Sequence, residues 1–203
     1  MNRSETEYWL DDFMPAKLSV HPAGGVHIGV AEFGGQAIAC TTNFARVDTG
    51  LQVDGESTPT DVRSELFTVI DGSVVPAVRV LGNSVDVLRK NASVLPAEPG
   101  TMLPDLAHRS GILVDQFGFD SGISILHGLL VPPFMWGGPV PQFTEEAGDV
   151  HGEGVTPGAG RLTVMLQLIM LTDEERERIM REGMMRFLSE VQAEQIPVHN
   201  WRR

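Results

Sequence analysis

The chain has 203 residues, enough for one large domain or two small ones, and a chain of this length buries on the order of 70% of its unfolded surface. Its 15 basic and 27 acidic side chains give a formal net charge of −12, which argues against nucleic acid or an anionic membrane as the main partner because both repel an acidic surface. The single cysteine, Cys40, excludes an intrachain disulfide and a cysteine-based metal site, and its apolar neighbours predict a core position.

The amino-terminal residues are polar and acidic, unlike a signal peptide, and no apolar run approaches the roughly twenty residues of a membrane span. A cytoplasmic location is therefore expected by default. A short helix is predicted over residues 4–14, with Ser4 as its N-cap and Pro15 at its end. Residues 1–19 are treated as an amino-terminal extension of a single domain that spans residues 1–203.

Two strands of a hairpin are predicted next, at Val26–Phe33 and residues 36–44. The intervening Gly34 and Gly35 suit the positive φ of a tight turn. Residues 46–61 are predicted to form a polar loop with a brief edge strand at most, and residues 65–70 are predicted to form another strand.

The clearest helix of the first half is predicted over residues 74–88. Ser73 is a suitable N-cap, and Pro76 falls in the first turn, where its missing N–H costs least. Apolar side chains recur at steps of four and three, which places them on one helix face: Val74, Val78, Leu81, Val85 and Leu88. Residues 91–111 are predicted to be irregular.

Two strands of the second half, at residues 123–131 and 162–171, carry apolar side chains on both faces. Pro132 and Pro133 end the first of them, because neither can donate to a ladder. The second is predicted to be a central strand that is covered by layers on both sides.

An acidic helix is predicted to follow the second strand. Thr172 and Glu175 have the spacing of a capping box, and Gly183 is expected to break the helix before a second amphipathic helix. The apolar stripe of this last helix predicts a core-facing surface. These elements together predict a single α+β domain.

The sequence contains no convincing catalytic constellation. Asp149, His151 and Glu153 alternate along a Gly-rich segment and form a weak metal pattern, which is more often a solvated loop. His127 lies within an apolar strand and is interpreted as a core histidine with a hydrogen-bond partner, with a catalytic base as the alternative. The chain is therefore predicted to be no enzyme and to need no cofactor or metal.

Residues 139–160 are predicted to form a long acidic Gly/Pro loop without Lys or Arg, and such loops are usually functional or disordered. Aromatic side chains just before an acidic loop are what a site for a basic protein partner needs. The alternative is that the aromatic residues only cap the end of the core. The candidate contact residues are Phe134, Trp136, Glu145, Glu146, Asp149 and Glu153.

Several short segments follow one another in an order that is typical of one known family. They are residues 63–66, the helix at 74–88, residues 129–133 with the following Phe-x-Trp-Gly, residues 171–175, Glu182-Gly183, and residues 196–198 with Arg202. This ordered set resembles the suppressor-of-fused family over residues 20–203, although the loop at residues 46–61 departs from its pattern.

The resemblance implies a mixed, mostly antiparallel β-sheet flanked by helices, and a binding role without catalytic residues. Animal members sequester a transcription factor of the hedgehog pathway, whose peptide adds a strand to an exposed element. Bacterial stand-alone members resemble immunity proteins that neutralise polymorphic toxins. The chain lacks the second domain of the animal proteins, so the bacterial interpretation is preferred.

The resulting hypothesis is an immunity protein that binds a toxin domain, which is expected to be basic because an acidic inhibitor attracts it electrostatically. The alternatives are an enzyme that uses the Asp149, His151 and Glu153 pattern, or a subunit of a larger secretion or regulatory assembly. The oligomeric state is left open by the sequence.

Overall fold

The computed structural model describes residues 1–23, 25–53, 59–92, 94–114, 122–135, 139–147, 159–193 and 195–203. Within them the helices are α1 (Arg3–Asp11), α2 (Val75–Lys90), α3 (Leu106–Arg109), α4 (Asp173–Glu182) and α5 (Met184–Gln192), with a 3-10 helix at Phe44–Arg46. The strands are β1 (Ser19–Ala23), β2 (Val26–Phe33), β3 (Gln36–Thr41), β4 (Gln52–Val53), β5 (Thr60–Asp71), β6 (Met102–Leu103), β7 (His127–Val131), β8 (Gln142–Glu145) and β9 (Gly160–Leu171).

All nine strands belong to one sheet, in the order β1-β2-β3-β5-β9-β7-β6, with β4 paired to β5 and β8 paired to β9. The β5–β9 pair is parallel, and every other pair is antiparallel. The fold is therefore α+β with a mixed, mostly antiparallel sheet, as predicted. Strand β9 is central, because it has β5 on one side and both β7 and β8 on the other.

The side chains on the two faces of β9 pack against different helices, because successive side chains of a strand point to opposite faces of the sheet. Leu166, Leu168 and Met170 pack in the cluster that contains the buried face of α2. Met165 packs in the cluster of α1, and Ile169 packs in the cluster of α5. Helix α2 thus covers one face of the sheet, and α1 and α5 cover separate parts of the other.

Helix α2 follows its predicted pattern closely. Leu81, Val85 and Leu88 are fully buried, whereas Val74 and Val78 at the amino-terminal end are half-buried. The N-cap position falls on Val74 rather than on the predicted Ser73, because the helix begins one residue later than expected.

Helix α1 begins at Arg3 rather than at Ser4. The Asn2 side chain accepts a hydrogen bond from Glu5 N (3.0 Å), and the Glu5 carboxylate accepts one from Asn2 N (2.7 Å). This reciprocal capping box fixes the first turn and makes Asn2 the N-cap.

Strand β7 begins at His127, so the predicted strand at residues 123–131 is four residues too long. Ser124 N donates to Trp201 O (3.0 Å), and Leu126 N donates to Leu171 O (2.7 Å). Leu171 is the last residue of β9, so the partner strand ends opposite His127, and the residues before it turn to the carboxyl-terminal segment instead.

Two regions predicted to be irregular contain regular structure. Residues 91–111 include β6 and α3, and the segment 139–160 includes β8, which pairs with the first half of β9. These elements are too short for a periodic pattern, and the strands among them are held by partners distant in sequence. The predicted loop at 139–160 is therefore wrong for residues 142–145, and residues 148–158 of it lie outside the described part.

The capping box of Thr172 and Glu175 is confirmed, with Glu175 N donating to Thr172 Oγ1 (3.2 Å) and Thr172 N donating to Glu175 Oε2 (2.9 Å). Gly183 separates α4 from α5 with φ 90° and ψ 148°, a conformation available essentially to glycine alone. None of the helices in the described ranges has the length and apolarity needed to cross a bilayer.

Candidate functional site

Of the six candidate contact residues, the three that the structure describes do not form one cluster. Phe134 lines one groove, whereas Glu145 and Glu146 line another, in which Glu145 is buried. Trp136, Asp149 and Glu153 lie outside the described residues, so their predicted role stays a prediction.

Glu145 is not part of an open acidic rim. Its residue is 8% exposed, and its carboxylate forms an ion pair with the amino group of Met1. As the last residue of β8, it lies opposite Arg161 of β9, a side chain that is also buried. Burial lowers the pKa of Arg161, and the Glu145 carboxylate opposes that shift. The negative charge of Glu145 is therefore used inside the protein.

A groove of about 650 Å³ runs between α1 and β8. We call it the acidic groove. Helix α1 supplies one wall, because residues three and four apart share a helix face. Strand β8 and the residue after it supply the other. It is lined by Met1, Asn2, Ser4, Glu5, Tyr8, Trp9, Asp12, Phe143, Thr144, Glu145 and Glu146.

The acidic groove combines exposed aromatic rings with carboxylates. Tyr8 is 74% exposed and Phe143 is 40% exposed, so both rings are accessible to a partner. Glu5, Asp12 and Glu146 are exposed as well. Within the described part of the chain, no Lys or Arg side chain lines this groove. The acidic groove therefore has the combination of acidic and aromatic residues that was predicted for a partner site. It lies between α1 and β8, whereas the prediction placed the aromatic residues just before the segment 139–160.

A second groove, of about 850 Å³, lies on the α1–α5 side of the sheet. We call it the Phe134 cleft. Phe134 is half-buried against the apolar cluster beneath α5, and its backbone N–H donates to Gln167 Oε1 (3.4 Å). The cleft is lined by Gln36, Asp71, Pro133, Phe134, Met135, Val191, Gln192 and Ile196–His199.

His127 is a core histidine with two partners, which confirms the structural interpretation. The residue is 4% exposed, its Nδ1 accepts from Asp105 N (3.0 Å), and its Nε2 donates to Asp173 Oδ1 (2.7 Å). Both ring nitrogens are occupied, so the imidazole links the start of α3 to the start of α4 and is not free to act as a base. Asp105 has φ 55°, the single non-glycine positive φ among the described residues.

Cys40 is also a core residue, as predicted. It is fully buried, and burial raises the pKa of its thiol, with the Glu65 carboxyl as a further cause. A thiol in this state is a poor nucleophile.

Two buried charged residues of β5 were not singled out as functional by the sequence. Arg63 contacts Asp48 (2.7 Å) and Asp61 (3.2 Å), and Glu65 accepts hydrogen bonds from Phe44 N and Ala45 N (both 3.0 Å). Both belong to the segment that carried the family resemblance. Their contacts show a structural role: they anchor the turn after β3 to the sheet.

No group of three or more metal-ligating side chains is found in the described ranges. The pattern Asp149, His151 and Glu153 lies outside them. Among the grooves that the described residues form, the acidic groove and the Phe134 cleft contain candidate contact residues, and neither has the geometry of a catalytic constellation.

Comparison with known proteins assigns the fold. No protein-family model matches the sequence, and no curated protein matches it significantly. The crystal structure of a SUFU (suppressor of fused protein) homolog from Neisseria gonorrhoeae FA 1090 matches with a TM-score of 0.59 at 10% identity, over 99% of this chain and 94% of that one. The Sufu-Fu complex matches with a TM-score of 0.50 at 12% identity, over 92% of this chain and 73% of that one.

These matches assign an α+β domain with a suppressor-of-fused fold. The fold predicted from the ordered segments is confirmed. At 10% and 12% identity the likeness concerns the fold alone, and the role of the grooves has to be argued from their own chemistry.

Proposed function

We propose that this chain is a non-enzymatic protein-binding module and, more specifically, an immunity protein that neutralises a basic toxin domain. The observation that carries the proposal is the acidic groove, in which exposed Tyr8 and Phe143 stand beside exposed carboxylates. Aromatic anchors of this kind dominate the energetics of protein interfaces. A protein of the same fold occurs in the Sufu-Fu complex, which supports a protein as the class of partner.

Strand β8 has one edge to which no described strand is paired, and this edge supports a binding mode. Pro141 O accepts a hydrogen bond from Met165 N (3.0 Å), and bonded and non-bonded pairs alternate in an antiparallel ladder. The backbone groups of Gln142 and Thr144 therefore point away from β9. The other edges are less suitable, because β1 contains Pro22 and β6 has two residues. In the proposal, an extended segment of the toxin pairs with β8 along the acidic groove.

The charge of the molecule supports a basic partner. A net charge of −12 attracts a basic protein over distances of about 8–10 Å at physiological ionic strength and raises its association rate. The carboxylates of Asp12 and Glu146 lie at the groove itself, where such attraction also selects the orientation of docking.

The test is co-expression with a toxin domain encoded beside the gene for this chain, where the proposal predicts the cognate toxin to be found. The wild-type chain is expected to restore growth of cells that express the toxin domain. The variant Asp12→Lys with Glu146→Lys is expected to fail, because it replaces two groove carboxylates by cations. Asp12 follows the last turn of α1, where a cation suits the helix dipole, so this variant should fold normally.

A matched control distinguishes an effect of the acidic groove from an effect of the net charge of the protein. Glu32→Lys with Glu98→Lys makes the same charge change at exposed positions outside the acidic groove and should still restore growth. Equal rescue by both double variants contradicts the groove as the contact surface. The absence of rescue by the wild-type chain contradicts the immunity function.

A further inference from the structure

The Phe134 cleft contains a carboxylate without a cationic partner. Asp71, the last residue of β5, is exposed and lines the cleft, and no ion pair joins it to a cation among the described residues. Gln36 Nε2 donates to Asp71 Oδ1 (3.0 Å), which leaves the other carboxylate oxygen available. A cleft that combines apolar side chains with one such carboxylate is complementary to an apolar group next to a positive charge.

The position of this carboxylate is fixed by the backbone. Asp71 N donates to His199 O (2.9 Å), and Gly72 N donates to Gly35 O (3.0 Å). These bonds hold the end of β5 against both the hairpin turn and the carboxyl-terminal segment. The carboxylate is thus pre-organised, which reduces the ordering cost of binding.

His199 lies beside Asp71 without supplying the missing charge. Burial lowers the pKa of its imidazole, and the opposing effect of the Asp71 carboxylate does not reverse that shift. His199 is therefore mainly neutral near pH 7. No Lys or Arg belongs to the lining of the cleft within the described part of the chain.

The walls of the cleft are apolar over most of their length. Phe134 and Met135 form one side, and Val191, Ile196 and Pro197 form the other. A volume of about 850 Å³ is at the upper end of the range for small-molecule sites, roughly 300–1,000 Å³, and accommodates several residues of a peptide. Met135 also packs against the cluster under α1, which includes Trp9 of the acidic groove. The two grooves therefore adjoin the same part of the core.

We propose that the Phe134 cleft binds a short segment of the basic partner, in which apolar side chains contact Phe134 and Met135 and an adjacent Lys or Arg pairs with Asp71. This inference rests on the proposed function, because it assigns the cleft to the same partner. The aliphatic stem of Lys or Arg suits the apolar wall, while its charged end reaches the carboxylate at the rim.

Peptide titration followed by ¹H–¹⁵N NMR tests the proposal. The probes are N-acetyl-Leu-Leu-Arg-amide and, as the charge control, N-acetyl-Leu-Leu-Glu-amide. The arginine peptide is expected to shift the amide signals of Asp71, Gln192 and His199 in a saturable way. Its affinity should exceed that of the glutamate peptide by about three- to fivefold, the range of an exposed ion pair.

Two variants of the whole chain sharpen the test. Asp71→Asn keeps an oxygen that can accept the hydrogen bond from Gln36. This variant should bind the arginine peptide with an affinity as low as that for the glutamate peptide. The groove variant Asp12→Lys with Glu146→Lys should leave peptide binding in the cleft within about twofold of wild type, because neither residue lines the cleft.

Three outcomes overturn the inference: no saturable shift at the cleft, equal affinity for the two peptides, or saturable shifts confined to Tyr8, Phe143 and Glu146. The last of these leaves the proposed function standing, because it places the peptide in the acidic groove. Conversely, failure of toxin neutralisation with intact peptide binding contradicts the proposed function and not the chemistry of the cleft.

Discussion

Glu65 is fully buried on β5 and accepts hydrogen bonds from Phe44 N and Ala45 N, so its carboxyl caps the 3-10 helix that follows β3. The Thr41 hydroxyl donates to this carboxyl and lies 3.4 Å from Leu66 O. Burial raises the pKa of Glu65 to about 7, although the three hydrogen bonds favour the ionised form. Glu65 therefore makes stability dependent on pH.

The first prediction concerns Glu65→Gln. The folded pKa of about 7 lies above the ordinary value of 4.5, so the folded state binds more protons between these limits. This difference in proton binding stabilises the folded state fully below about pH 4.5, and the stabilisation is lost as the pH rises to about 7. The free energy of unfolding changes by on the order of 3 kcal/mol over this range. The measurement is urea unfolding of both proteins from pH 4.5 to 8. The difference in the free energy of unfolding between wild type and Glu65→Gln should decrease from pH 4.5 to 8. A difference that is constant over this range contradicts the raised pKa of Glu65.

Arg203 holds the carboxyl-terminal segment to the rest of the protein. Its guanidinium forms a two-point ion pair with Glu175 (2.6 and 2.7 Å) and donates to Met170 O (2.6 Å). It also donates to Val198 O (3.2 Å) and Asn200 O (3.0 Å). Both partners of the ion pair are largely shielded from water, so removing one of them costs more stability than it does in a typical surface ion pair.

The second prediction is that Arg203→Ala lowers the free energy of unfolding by about 2–4 kcal/mol, because it leaves Glu175 partly buried without its cation. Amide exchange of residues 198–203 should accelerate. Arg181→Ala is the matched control: this arginine is 66% exposed and pairs with Glu182, so its loss should change stability by about 0.5 kcal/mol or less. Equal effects of the two substitutions contradict the role of Arg203.

Single residues were predictable from sequence where their neighbours decide their environment. Cys40 and His127 lie in apolar runs and are buried as predicted. The roles of Glu65 and Arg203 were not predictable, because their partners are distant in the chain. The partners of Glu65 lie 20 to 24 residues away, and Glu175 lies 28 residues from Arg203. A polar residue whose partners are distant gives no local signal.

At the scale of elements, Gly183 sets the path from α4 to α5. Its φ of 90° and ψ of 148° belong to a region that side chains other than glycine rarely adopt. The turn lets Ile179 of α4 and Phe187 of α5 enter the same apolar cluster. The break between the helices is therefore required for the packing of both.

The third prediction compares two glycines. Gly183→Ala should destabilise the protein by about 1–3 kcal/mol, because alanine is strained at this φ and ψ. Gly82→Ala should instead stabilise it by about 0.5–1 kcal/mol, since Gly82 lies inside α2 and an added Cβ would be 3.8 Å from Ala23 O, an ordinary contact. Thermal or urea unfolding measures both. Effects of the same sign contradict the conformational explanation.

The elements that were predictable are those with a long pattern or a strong cap. Helix α2, strand β9 and the capping box of α4 all follow from spacing alone. Strand β8 and strand β6 did not follow, because four-residue and two-residue strands are defined by the strands they pair with. The missed strand β8 forms half of the acidic groove.

At the scale of the whole molecule, the fold was predictable, whereas the predicted contact residues stay a prediction. The order of short segments indicated the suppressor-of-fused fold, which the structural matches confirm. The sequence predicted aromatic anchors beside acidic residues, and Glu146 lines such a groove. Tyr8 and Phe143 were missed because α1 and β8 are far apart in the chain and meet only in the folded structure.

In the proposed function, the acidic groove binds a basic partner. The most direct test is to measure the association rate constant with the toxin domain by stopped-flow fluorescence. Asp12→Lys with Glu146→Lys should reduce the association rate constant at least about tenfold at low salt and flatten its dependence on ionic strength, because electrostatic steering is lost. Glu32→Lys with Glu98→Lys, with the same net charge, should have a clearly smaller effect. Indistinguishable rates for the two double variants would contradict the account.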